Sequence, residues 1–265
     1  MIRVGRALLW HEFLERTRDR WVIVVSLVFA LMAAGVSLYG SNAAESAAMV
    51  TGPSLVTLSS MLVPLVALIL GHDLICGERE RNTLGLLLSL PAGTTEIVVA
   101  KFLGRMFALV VSVSIGLGCA LPFAGEGGHG ALLALIGPAI LLGGSFLAMG
   151  SLISAITNRP STAASLAVVT WFLLVFFYDL ALLGILVLTD GAFPADVISG
   201  LVAVNPAGLF RVEMMALFAG DTGFEDLNMG TFFPGKLASY GLWALWIFGV
   251  PLLTTLILSR RKSVR

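Results

Sequence analysis

Cys76-Gly77-Glu78-Arg79-Glu80-Arg81-Asn82-Thr83-Leu84-Gly85-Leu86-Leu87-Leu88-Ser89-Leu90-Pro91-Ala92-Gly93 sets a knot of alternating charge between two long apolar spans. Glu78 to Arg81 cannot be buried cheaply in lipid, so they are expected to meet water or another protein. Thr83–Leu90 turns apolar again but is too short to cross a bilayer, which predicts a segment lying along a membrane surface or tucked beneath the bundle. Pro91-Ala92-Gly93 then reverses the chain. Thr94 or Thr95 is positioned to cap the next helix, with Glu96 in its first turn.

Outward from this knot the chain is a membrane protein. Its 265 residues are 58% hydrophobic and 12% charged, about half the charge of an ordinary soluble domain. Six stretches suffice for spans of about 20 residues: Trp21–Gly40, Leu55–Ile75, Phe102–Phe123, Ala131–Ile156, Ala163–Leu188 and Leu237–Leu258. The expected fold is an all-α membrane protein of six transmembrane helices in one domain, residues 1–265. If both termini lie on one side, 14 of the 16 Lys and Arg residues fall on that side and only Arg211 and Lys236 on the other. The positive-inside tendency then places the termini and the Glu78–Arg81 knot in the cytoplasm, and the 189–236 segment outside. The Arg-rich start could suggest a cleaved leader, but Glu12, Glu15 and Asp19 precede a long apolar run followed by further spans, which predicts a retained first helix. Cys76 and Cys119 fall at opposite ends of neighbouring spans, too far apart for a disulfide.

Residues 1–20 interleave arginines and acids with Val4, Leu8, Leu9, Trp10, Phe13 and Leu14, which suits a helix at the cytoplasmic interface; a solvated basic leader is the plainer alternative. The 124–130 and 157–161 links are tight reversals, with Ser161 or Thr162 available to cap the fifth span. Gly116-Leu117-Gly118 and Gly143-Gly144-Ser145 predict close helix packing. In the acidic 189–236 segment, Val197–Val204 is too short to span. It reads as a short outward or re-entrant helix, a turn at Asn205-Pro206, and a second helix through Phe218.

The chain carries no Gly-x-x-x-x-Gly-Lys-Ser/Thr loop for phosphate, and His11, His72 and His129 have neither hydrolase nor zinc spacing. Catalysis is therefore not expected of it. Met214-Met215 beside Glu213 has thioethers suited to Cu(I), but adjacent helical residues point about 100° apart, which favours packing; His129 reads as a solvated loop residue. Asp179 is the one acid well inside a span. It either faces the bundle or dimer interior and bonds a hydroxyl such as Tyr178 of a neighbouring subunit or an unpaired backbone group, or reaches water at the outer end.

The Glu-x-Glu-x-x-Thr-Leu-x-x-Leu-Leu-x-x-Pro run at Glu78–Pro91, with Ile97 and Lys101 after it, resembles the loop between the second and third spans of ABC-2-type transporter permeases. Asn82 departs from the Gly often found there. The resemblance covers nearly the whole chain. It implies a homodimer of six-span subunits in a bacterial or archaeal cytoplasmic membrane. Its coupling residues Glu78, Arg79, Glu80, Arg81, Asn82, Thr83 and Pro91 would meet a separate ATPase subunit that binds ATP and Mg, with no cofactor held by this chain. Trp171-Phe172-Leu173, Asp179-Leu180, Leu182-Leu183, Asn205-Pro206 and Phe210-Arg211 are similar to the permeases of complexes that support copper-site maturation in nitrous-oxide reductase. That implies an extracytoplasmic partner contacting Asn205, Pro206, Phe210 and Arg211. An exporter of a lipid, glycan or drug is the alternative on the same fold.

Overall fold

The computed structural model describes residues 2–17, 20–42, 47–89, 93–123, 128–192, 194–226 and 236–263, and these contain helices and turns but no strand. The elements relevant to the site are α1 (Ile2–Thr17), α2 (Arg20–Asn42), α3 (Ala47–Gly71), α4 (Cys76–Glu80), α5 (Leu84–Ser89), α6 (Thr94–Gly118) and α7 (Gly128–Ile156). They are followed by α8 (Pro160–Phe172), α9 (Tyr178–Leu188), α10 (Ala195–Val204), α11 (Pro206–Asp226), α12 (Lys236–Ala244) and α13 (Val250–Ser263).

Among the described residues, five helical stretches are long and apolar enough to cross a membrane: Gly52–Glu80, Thr94–Phe123, Leu132–Ile156, Pro160–Leu188 and Leu237–Arg260. They match the second to sixth expected spans. The first falls on α2, a 23-residue helix with a described apolar stretch at Ser26–Leu38. Asp196–Val204 and Pro206–Phe218 form a further apolar pair bent by 111°, the geometry of a broken span or a re-entrant loop.

Helices α3 and α7 form the centre, flanked by α2, α6 and α13. Their approach is set by two glycines: a methyl group on Gly150 would sit 2.9 Å from the Gly71 Cα. Lipid gives no hydrophobic drive for helix association, so close backbone contact supplies the packing energy instead. Gly143 and Gly144 instead make room for the Leu109 and Met106 side chains, and Gly116 for the Phe29 ring, whereas Gly118 faces open space. Gly144 lies against Ile247, and Ser151 Oγ is 3.4 Å from Thr254 Oγ1. The last span therefore runs parallel to α7, and Arg260 lies at the same end of the bundle as Ile156, α4 and α1.

Two expected caps are not used. Gly93 is the N-cap of α6, with Thr94 already inside the helix, and Arg159 is the N-cap of α8, with Pro160 as its first residue. Pro at that position needs no donor and has a suitable φ, so the hydroxyls of Ser161 and Thr162 are displaced into the first turn.

Candidate functional site: a buried charge network under the α4–α5 element

Beyond Gly71 the chain breaks its helix over four residues and restarts as α4. The break is closed by Ser154 of α7, whose Oγ accepts from the backbone N–H of Ile75 (2.8 Å) and Cys76 (3.0 Å) and lies 3.3 Å from the Cys76 Sγ. Cys76 is buried and Cys119 exposed, both free thiols. Helix α4 ends in a Schellman turn: the Asn82 N–H bonds the Arg79 carbonyl (3.2 Å) and the Thr83 N–H the Glu78 carbonyl (3.0 Å). This turn requires a left-handed residue after the cap, and Asn82 occupies it at φ 57°. Glycine enters that region freely, and asparagine is among the few side chains that tolerate it. The Asn departure from the expected Gly thus preserves the turn.

The charged residues of the knot divide by direction. Glu78 points inward, accepting from Lys101 Nζ at 3.0 Å and from the Thr83 hydroxyl. Lys101 also pairs with Glu12 of α1 at 2.6 Å, and Arg105 Nε reaches the other Glu12 oxygen at 2.6 Å. Arg105 then bonds Asp73 at 2.6 Å and the Leu70 carbonyl at the end of α3. Glu12, Lys101 and Arg105 are 2%, 4% and 1% exposed. Isolated charges at such depth would each cost several kcal/mol, so the network stands because each charge has an opposite partner. Gly104 lies between the two cations, where a methyl group would come within 2.8 Å of the Leu9 carbonyl and the Glu12 Cβ. Its lack of a side chain admits α1.

The other charges fix the element's edges. Arg79 donates to the Thr157 carbonyl and to Asn158 Oδ1 (3.2 Å), tying α4 to the turn before α8. Arg81 pairs with Glu15 of α1 at 3.3 Å, with both side chains substantially exposed. Among the described residues, Glu80, Asn82, Gly85, Leu86 and Ser89 remain outward, Leu86 being 72% exposed. Pro91 lies outside the described residues.

Sequence reading treated Lys101 and Arg105 as topology markers and α1 as lying at an interface. The structure pins α1 to α6 through ion pairs spanning 89 and 93 residues of chain. A signal was present: Lys101, Gly104 and Arg105 share one helical face at the edge of an apolar span, where two cations require counter-charges. The outer face of α1 keeps Trp10 and Leu14 exposed.

At the far end of the bundle, three of the four residues expected to contact a partner are buried within the chain, and Arg211 is partly exposed. Asn205 is 2% and Phe210 0% exposed, and Pro206 is also buried. Asn205 caps α11, its Oδ1 accepting from the Ala207 N–H at 3.1 Å, while Pro206 takes the first helical position. Asn205 and Pro206 serve the bend itself, their sequence signature being a cap followed by proline, while Phe210 joins the hydrophobic core. Arg211 pairs with Asp179 within the same chain, and the Tyr178 hydroxyl donates to the Leu201 carbonyl at 2.7 Å. Met214 is buried and Met215 exposed, on different faces as their spacing implies. His129 is exposed.

Comparison with known proteins agrees with this architecture. Residues 6–262 match the model of the ABC-2 family transporter proteins. The chain is 36% identical over 264 residues to the probable ABC transporter permease protein NosY of Stutzerimonas stutzeri, covering 95% of this chain and 96% of that one. It is 34% identical over 268 residues to the protein of the same description from Pseudomonas aeruginosa, covering 96% of each. With its multi-span helical bundle and a family match across nearly all its length, the chain belongs to the ABC-2 family of transporter permeases.

Proposed function

We propose that this chain is the membrane subunit of a NosY-like complex, working as a homodimer. A separate NosF-like ATPase docks on the α4–α5 element from the cytoplasm, and a NosD-like periplasmic partner receives the resulting movement at the opposite end. The process served is copper-site maturation of nitrous-oxide reductase. The observation that carries the reading is Glu78, which bonds both Thr83 of the protruding element and Lys101 of a span. A push on the element is thereby passed to α6, through Glu12 to α1, and through Arg79 to the turn before α8. Charge supports this sidedness: Arg79, Arg81, Lys101, Arg105, Arg159 and Arg260 gather at this end, as expected of a cytoplasmic face.

The docking face consists of the outward residues, not Glu78. Glu80→Lys combined with Leu86→Asp, in the complex co-expressed with its ATPase subunit, is expected to abolish co-purification of the ATPase while the permease keeps its thermal stability. Unchanged co-purification would overturn the docking assignment. ATPase activity stimulated by a lipid, glycan or drug, and indifferent to the periplasmic partner, would favour export instead.

A further inference from the structure

The span containing α8 and α9 is joined to the bundle unevenly. Its first half is seated by buried Ala163 and Ala167 and by the Trp171 indole, which donates to the Met61 carbonyl of α3 at 2.9 Å. Past Trp171, Val175 is buried and Leu174 and Phe176 pack partly buried against the core, whereas α9 buries no side chain. Polar bonds made from residues 174–179 add a second tie, to the bent α10–α11 pair. Asn205 Nδ2 donates to the Leu174 carbonyl at 2.7 Å, Tyr178 to Leu201 of α10, and Asp179 accepts from Arg211 of α11.

A defect in the span makes the first of these bonds available. Leu173–Phe177 is a π-turn in which the Tyr178 N–H closes onto Leu173, where an α-helix would close it onto Leu174. The Leu174 carbonyl is left to Asn205. Such turns insert one extra residue, and their conversion to α-helix rotates everything beyond them by about 100°. The last span has a second π-turn at Leu245–Gly249, and its Trp246 donates to the Val204 carbonyl at the bend (3.1 Å). Helix α11, by contrast, packs directly on α3 and α7.

We infer that residues 174–179 and the α10–α11 bend form a latch, with the Leu173–Phe177 π-turn as hinge, so that the α9 half of its span is detachable from the bundle while α11 is not. The latch belongs to the chain itself, whatever docks at the other end. The test uses the full chain in lipid nanodiscs with Cys119→Ser and spin labels at Leu188→Cys on α9, Met215→Cys on α11 and Leu133→Cys on α7. Tyr178→Phe with Asn205→Ser removes two latch bonds while serine keeps an acceptor for the α11 cap. Loss of two neutral hydrogen bonds raises a detached population by roughly thirtyfold, read as a second, longer component in the 188–215 distance. The 215–133 distance is expected to stay single, and Trp246→Phe to leave the 188–215 distance unchanged. A single unshifted 188–215 distance in the double variant overturns the latch. So does broadening of the 215–133 distance, which would mean that α11 itself had unpacked, or equal broadening in Trp246→Phe.

Discussion

Asn82 shows how one backbone angle limits a position. At φ 57° a β-branched side chain is strained, so Asn82→Val is expected to destabilise the chain by about 1–2 kcal/mol. Asn82→Gly should be neutral to slightly stabilising by comparison, as read from thermal melts in detergent. Glu12 and Glu15, three residues apart on α1, carry a second contrast. Glu12 is buried between two cations at 2.6 Å, so Glu12→Gln is expected to cost about 3–5 kcal/mol, the range for breaking a buried pair. Arg81→Ala removes the exposed partner of Glu15 and should cost less than about 1 kcal/mol. If the two variants melt together, Glu12 is not held as described. Neither fate was readable from residue type, because the partners of Glu12 lie far away in the chain.

Among the helical elements, spans two to six were legible in the sequence because each is a long apolar run, and length and hydropathy alone decide whether helix can cross lipid. Their contacts were legible only in part. Gly143, Gly144 and Gly116 lie at close contacts and Gly118 does not, since a glycine motif does not say which side of a helix a neighbour occupies. Gly150→Ala forces a methyl group against the Gly71 backbone and is expected to cost about 1–3 kcal/mol. Gly137→Ala, with nothing within 4 Å of its added methyl, should be neutral or gain up to about 1 kcal/mol from helix propensity. Equal losses in the two variants would contradict the α3–α7 contact. The caps at Gly93 and Arg159 were missed because several adjacent residues could serve, and the final turn of the incoming chain selects among them.

For the whole molecule, apolar length and the placement of basic residues determined that this is a helical membrane protein with a charged knot at one end of its bundle. These properties depend on transfer between water and lipid, which each segment undergoes nearly independently, so a one-dimensional pattern suffices to read them. The ABC-2 resemblance at Glu78–Pro91 was legible for the same reason, being local. Only the tertiary structure decided that Glu78 faces inward to Lys101 while Glu80 and Leu86 face outward. It also decided that Asn205 caps a buried bend, that Phe210 joins the core, and that Asp179 has Arg211 as its partner. Burial and ion pairing depend on which helices meet and at what rotation. That is set by packing among all the spans together, with glycines such as Gly71, Gly104 and Gly150 defining the points of closest approach.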